Sequence, residues 1–365
     1  MADFGSKCRK EILSIKPYIP GKPIEEVKRE FGISDVVKLA SNENPLGSSP
    51  EAITAVKKAI DSIYMYPDGS CNNLKQDISN IFNINCDSIL IGNGSDEIIK
   101  LLAEAFVDTG DEVIIPDPSF AEYEFATKVM GGKCVYSPLK NYRIDLDDVL
   151  DRITAQTKVI FLCNPNNPTG TIVYENEVKS FFENVPNDVL VVFDEAYYEY
   201  VTSSSFPETL DLIKEGMNNL IVLRTFSKIY GLAGLRVGYG ISSKEIVSLI
   251  NRVREPFNVN MLAQEAARAA LYDSRHLENS RICNEEGKDF LYKEFNKLGL
   301  KYYTTEANFL WVDLEQDCNE LFKEMLKRGI IIRTGDIFGC DTFARITIGT
   351  QSQNEKLISV LKALL

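Results

Sequence analysis

The sequence predicts an α/β protein built on a mainly parallel sheet, with a smaller α+β lobe beside it. Between about 85 and 240, short β-branched apolar runs alternate with turn-rich and helical stretches. The runs are nearly continuous rather than alternating in polarity, as strands buried on both faces of a parallel sheet require. From about 245 the pattern changes to a helix followed by apolar runs suited to a second sheet.

The N-terminal segment, with Pro17-Tyr18-Ile19-Pro20-Gly21-Lys22-Pro23, is too irregular to form a domain alone and is expected to pack between the lobes. Ser88-Ile89-Leu90-Ile91 reads as the first strand. Gly92-Asn93-Gly94-Ser95-Asp96-Glu97 then leads into the helical pattern Ile98 to Phe106. Its glycines let backbone N–H groups approach an anion at a helix N-terminus, although a glycine turn with Ser95 or Asp96 as N-cap reads equally well. The runs beginning at Glu112, Lys158, Val189 and Leu220 supply further strands. Met261 to Leu271 reads as an amphipathic helix, and Phe309-Leu310-Trp311-Val312 and Ile330-Ile331-Ile332 as strands of the second sheet.

With 365 residues, 44% of them hydrophobic, the chain can bury one large core and a smaller one. The net charge of −13 is spread along the chain without a basic stripe, so nucleic acid is not an expected partner. No apolar run is long enough to span a membrane, and the start lacks a signal peptide's apolar centre; a soluble, cytoplasmic protein is expected. Eight scattered cysteines without a C-x-x-C pair suit reduced thiols rather than disulfides or zinc. The single histidine, His276, argues against a histidine-based triad or a histidine-rich metal site, and no metal is expected.

Ligands of open α/β sheets collect at the carboxyl ends of strands, which makes the polar residues after each run the candidates. Lys228 follows Leu220-Ile221-Val222-Leu223 in Arg224-Thr225-Phe226-Ser227-Lys228, and Arg236 follows eight residues later. Such an amine can form an imine with an aldehyde cofactor, while Thr225, Ser227 and Arg236 hold a phosphate beside it. The candidate cofactor is therefore pyridoxal phosphate. In Asn164-Pro165-Asn166-Asn167-Pro168-Thr169-Gly170, a rigid turn can hold the Asn167 amide toward a ring oxygen. In Asp194-Glu195-Ala196-Tyr197, the Asp194 carboxylate can pair with a protonated ring nitrogen while Tyr197 bonds the ring oxygen. Phe120, in Pro118-Ser119-Phe120-Ala121-Glu122-Tyr123, can stack on the ring. Each residue also has an ordinary reading as turn, loop or core; only the combination is specific.

On these motifs the chain resembles the fold-type I pyridoxal-phosphate enzymes of the class II aminotransferase group, and within it the histidinol-phosphate branch. The shared features run from Pro17-Tyr18 to Arg345-Ile346-Thr347-Ile348-Gly349. The resemblance implies a seven-stranded, mainly parallel sheet in a large domain at 46–255, and a small domain from 1–45 with 256–365. It implies that Lys228 forms the imine and later moves a proton, that Asp194 partners the ring nitrogen, that Asn167 and Tyr197 meet the ring oxygen, and that Phe120 stacks. The phosphate would meet Gly94, Ser95, Asp96, Thr225, Ser227 and Arg236. Tyr66, in Tyr66-Pro67-Asp68, would reach it from a second subunit, which makes the active unit a homodimer.

Substrate binding is expected at Arg333 and Arg345, with Tyr18, Asn167 and Asn308; the two arginines can both face the cleft if their runs are neighbouring strand edges. The implied reaction joins an amino donor, L-histidinol phosphate, to the 2-oxo acid 2-oxoglutarate in histidine synthesis. Arg254-Glu255-Pro256-Phe257-Asn258-Val259-Asn260 favours that branch. An aromatic amino acid aminotransferase and, in another class, a threonine-phosphate decarboxylase share the catalytic core and stay open on the sequence alone.

Overall fold

The computed structural model describes residues 4–15, 17 and 21–365. Its larger sheet has seven strands: β1 Ile89–Gly92, β2 Glu112–Asp117, β3 Lys133–Pro138, β4 Thr157–Cys163, β5 Leu190–Asp194, β6 Leu220–Thr225 and β7 Gly238–Ser242. They lie in the order β1-β7-β6-β5-β4-β2-β3. Every pairing is parallel except those of β7, which runs antiparallel to β1 and β6. The five apolar runs read from the sequence are β1, β2, β4, β5 and β6.

Successive residues of the central strands enter opposite cores. Val191 and Phe193 join one apolar cluster with Ile160 and Val222, whereas Val192 joins the other with Phe161 and Leu223. Both faces are therefore dry, which is why these strands show no polar alternation. The two strands missing from the sequence reading had physical reasons to be hidden. β3 is an edge strand with mostly half-exposed or exposed residues. β7 contains Gly238, where an added Cβ would lie 2.6 Å from the Ser95 nitrogen, so a strand-forming side chain is forbidden there.

The smaller sheet runs Arg333–Thr334, Phe343–Thr347, Phe309–Asp313, Lys301–Tyr303, all antiparallel. Ile330–Ile331, expected in this sheet, instead pairs in parallel with Val37–Lys38. Both isoleucines are buried, in different apolar clusters, so the pair acts as a seam between them.

The expected boundary at 255 also needs correction. The helix Met261–Leu271 packs on Pro50–Ala59, and its Ala263, Ala266, Ala267 and Ala270 join the core of the larger sheet. Its alanine face admits close helix–helix contact, which the amphipathic pattern alone did not assign to either lobe. The following helix, Ser274–Leu298, carries the chain to the smaller core through Leu291 and Phe295. Of the N-terminal segment, Lys10–Leu13 lies against the helix Ala121–Met130 of the larger lobe. Residues 39–44 cross between the lobes: Leu39 sits in the smaller core, while Asn44 Nδ2 donates to the Ile229 carbonyl at 2.6 Å.

Candidate active site

A cavity of about 780 Å³ opens at the carboxyl ends of β2, β4, β5 and β6 and is closed on one side by the smaller sheet. Its walls bring together Lys228, Asp194, Tyr197, Asn167, Phe120, Ser95, Asp96, Thr225, Ser227, Arg236, Arg333 and Arg345. Residues from Ser95 to Arg236 meet there because the strands they follow aim their ends the same way, and the smaller antiparallel sheet brings Arg333 and Arg345 against them.

Lys228 lies three residues beyond β6. Its Nζ donates to the Ser41 carbonyl at 3.5 Å and sits 5.6 Å from the centre of the Tyr197 ring. Burial first, and then the Arg345 charge, lower the amine's pKa to about 8, against the opposing pull of Asp96 and Glu43. A sizeable neutral fraction is thus present near pH 7–8, where an exposed lysine has almost none.

Asp194 ends β5, fully enclosed. It accepts from the Tyr123 hydroxyl at 2.8 Å and from the Ala196 N–H at 3.2 Å. Burial still raises its pKa to about 6, outweighing the bonds from Tyr123 and Ala196 and the Lys228 charge. Tyr123 stacks on Phe161 at 4.7 Å and meets Phe120 edge-on at 5.6 Å. It was not among the expected site residues. The available signal was its place three residues after Phe120 on one helix face. Behind the site, Arg224 donates to Glu195 Oε2 at 3.0 and 2.8 Å with both side chains buried, clamping the ends of β5 and β6 beside Asp194 and Thr225.

Tyr197 is buried; its hydroxyl accepts from Asn42 Nδ2 at 3.1 Å, and its ring packs edge-on against Phe309. Asn167 presents its Oδ1 to Arg345 Nη1 at 2.7 Å. The turn that carries it is pressed against the smaller lobe, since a Cβ on Gly170 would collide with Thr305. Arg345 Nη2 also donates to the Ala40 carbonyl at 2.6 Å. Arg333 and Arg345 are direct register partners on neighbouring strands, as the expectation of neighbouring edges required.

At the other end of the cavity the helix Ser95–Phe106 begins without a side-chain cap. Gly94 has φ of 81°, and a Cβ there would lie 2.7 Å from Arg236 Nη2. Arg236 donates to Asp96 Oδ2 at 2.8 Å, so its guanidinium lies across the helix start. The Thr225 hydroxyl accepts from the Ser227 N–H at 3.1 Å. An uncapped helix N-terminus, two hydroxyls and a guanidinium make a cradle for a dianion.

Two of the expected residues lie elsewhere. Asn308 is buried behind the wall and donates to the Asn42 carbonyl at 3.0 Å rather than lining the cavity. Tyr66 is 80% exposed and stacks on Phe257, away from this chain's own cavity. Tyr18 lies outside the described residues. His276 is in the first turn of the helix Ser274–Leu298, with Nε2 3.4 Å from Asn44 Nδ2, and takes no part in the cavity wall.

The donor set fits pyridoxal phosphate: a buried amine of lowered pKa, an enclosed carboxylate, amide and phenol groups, and a phosphate cradle that a Cβ at Gly94 would crowd. The family model for aminotransferase class I and II matches residues 34–361. The chain is 56% identical over 359 residues to the histidinol-phosphate aminotransferase of Moorella thermoacetica, covering 98% of this chain and 93% of that protein. It is 49% identical to that of Caldicellulosiruptor saccharolyticus, over 98% and 99% of the two chains. Among solved structures it is similar to histidinol-phosphate aminotransferase from Sinorhizobium meliloti in complex with pyridoxal-5'-phosphate, with a TM-score of 0.91, 25% identity and 99% of each chain covered.

Proposed function

The chain belongs to the class I and II aminotransferases, and on that premise we propose that it transfers an amino group between L-histidinol phosphate and 2-oxoglutarate, yielding imidazole-acetol phosphate and L-glutamate. The observation that carries the substrate assignment is the register pairing of Arg333 with Arg345 on the cavity wall. Two guanidinium groups suit a phosphate in one half-reaction and a carboxylate in the other. The near-full-length likeness to histidinol-phosphate aminotransferases supports the same reading.

Pyridoxal phosphate, when bound, supplies an electron-poor ring that accepts the electrons left when the substrate carbon loses its proton. Lys228, the buried amine of lowered pKa on the cavity wall, would hold the cofactor's aldehyde end, and its Nζ would be the base that takes the substrate carbon's proton. Asp194 would hold the ring nitrogen's proton, with Tyr123 and the Ala196 N–H orienting the carboxylate. Asn167 and Tyr197 would hold the ring oxygen, and Phe120 would cover a ring face. The backbone at Gly94, Ser95 and Asp96, with Thr225, Ser227 and Arg236, would hold the phosphate.

We further propose a homodimer in which Tyr66 of each chain completes the phosphate cradle of the other. Support comes from the exposed apolar run Ile60, Ile63, Tyr64, Met65, Tyr66 beside Phe257, a concentration unusual on a free surface. Among the described residues no helix is long and apolar enough to cross a membrane, and a cytoplasmic place suits a biosynthetic enzyme.

The test is transamination with 2-oxoglutarate, comparing kcat/KM for L-histidinol phosphate, phenylalanine and tyrosine while following glutamate and carbon dioxide. A preference of about a hundredfold for histidinol phosphate, worth ~2.7 kcal/mol, is expected. Comparable use of the aromatic amino acids, or carbon dioxide release, would defeat the substrate assignment.

A further inference from the structure

Asn42 lies on the segment that crosses between the lobes, with φ of 56°, in the left-handed region that asparagine tolerates better than most residues. It is 1% exposed, and each of its polar groups is engaged. Its N–H donates to Thr347 Oγ1 at 2.9 Å, and its carbonyl accepts from Asn308 Nδ2 at 3.0 Å. Its Oδ1 accepts from the Thr347 hydroxyl at 3.0 Å, and its Nδ2 donates to the Tyr197 hydroxyl oxygen at 3.1 Å.

The order of donors and acceptors has a direction. Thr347 takes the Asn42 N–H on a lone pair and returns its own proton to the Asn42 side-chain oxygen. The amide therefore turns its NH₂ group to Tyr197. A phenol oxygen that already accepts an N–H keeps its own O–H for another acceptor, and Tyr197 lines the cavity.

We propose that Asn42 is a positioning residue that fixes Tyr197 as a hydrogen-bond donor into the cavity, with Thr347 and Asn308 of the smaller lobe fixing Asn42 in turn. The inference rests on the reading that Tyr197 meets the ring oxygen of bound pyridoxal phosphate. It also gives Asn308 a task that its burial behind the wall permits, which direct substrate binding does not. A donor on the ring oxygen stabilises negative charge there, so the pH-dependent absorbance change of the bound cofactor occurs at lower pH than it would without the donor.

The experiment is a double-mutant cycle read by absorbance-pH titration of the pyridoxal-phosphate-loaded protein: wild type, Asn42→Asp, Tyr197→Phe and the double variant. Asparagine and aspartate have the same shape, but the carboxylate accepts the phenol proton and reverses the bond. The expected result is an upward shift of about one pH unit or more for Asn42→Asp in the wild-type background, and less than half of it in the Tyr197→Phe background. Equal shifts in both backgrounds would mean a through-space charge effect and would overturn the inference, as would no shift in either. If Asn42→Asp does not fold, Asn42→Gly enters the same cycle, since glycine adopts this φ freely; a smaller upward shift, again lost with Tyr197→Phe, is expected, and its absence overturns the inference. Failure of the underlying reading is visible separately: the wild-type cofactor band would then survive Lys228→Ala or be unmoved by Tyr197→Phe, and the inference falls with it.

Discussion

Arg333 and Arg345 face each other as register partners on adjacent antiparallel strands, and both reach the cavity. Two guanidinium groups on one cavity wall offer more donors and charge than a single carboxylate uses, so the arrangement suits a doubly charged phosphate. Arg345 is also tied to Asn167 and Ala40. Replacing it disturbs the site for any substrate. Arg333→Ala is expected to lower kcat/KM for histidinol phosphate by about 10- to 100-fold, the worth of one charge-assisted bond of ~1.5–3 kcal/mol, while phenylalanine turnover changes much less. Steady-state kinetics of both substrates decide it; an equal loss for both would remove Arg333 as the phosphate reader.

On the proposed roles, Lys228→Ala would remove both the anchor for the cofactor and the proton carrier. Turnover is expected to fall by several orders of magnitude, with loss of the cofactor absorbance that depends on the amine. A variant retaining more than about a tenth of wild-type activity would contradict the assignment.

Lys228 also carries a pH signature. Its pKa of about 8 in the folded chain lies below the ordinary 10.5, so between these values the unfolded chain binds more protons and stability rises with pH. Below about 8 the buried charge is a standing cost, on the order of 1–3 kcal/mol by the size of the shift. Lys228→Met should therefore raise the Tm of cofactor-free protein at pH 7, and the gain should shrink toward pH 10. Thermal melts at the two pH values check this; an advantage that grows with pH would reverse the sign.

What the sequence disclosed follows from where its constraints are local. Strand-end motifs such as Asp194-Glu195-Ala196-Tyr197 and Ser227-Lys228 sit within a few residues of the strands that aim them, so pattern and chemistry could be read together. The pairing of Arg333 with Arg345 needed only the idea that two short runs neighbour each other. Tyr123 and Asn42 were missed because their tasks depend on partners 71 and 155 residues away, a relation that one chain's local pattern does not encode. Asn308 stands behind the cavity wall for the complementary reason: a buried polar residue beside a site can serve the wall. The helix Met261–Leu271 was given to the wrong lobe because periodicity tells that a face is buried but not against what.

Tyr123→Phe keeps the stacking on Phe161 but deletes the hydroxyl that donates to Asp194. That bond is the largest influence opposing the burial that lifts Asp194 to about 6, so without it the carboxylate's pKa rises further. Fewer ionised carboxylates then face the ring nitrogen near neutral pH. The expected result is weaker retention of pyridoxal phosphate, about a tenfold lower kcat, and an acidic limb of the pH profile moved upward. An unchanged acidic limb would show that Tyr123 only fills space.

If Tyr66 serves the neighbouring chain, two defective chains can repair each other. In a heterodimer of Lys228→Ala with Tyr66→Ala, one site would carry both defects and the other neither. Were Tyr66 to act within its own chain, each site would carry one defect and none would be intact. Its 80% exposure and its stacking on Phe257, outside this chain's cavity, favour the first arrangement. Refolding the two variants together should restore up to about a quarter of wild-type activity, half the dimers being mixed and half their sites intact. Activity no higher than the average of the separate variants would rule out the shared site. Ile63→Asp supplies the control: with Ile63 63% exposed in the same run, a charge there should leave the chain folded, shift sedimentation toward the monomer, and abolish the repair.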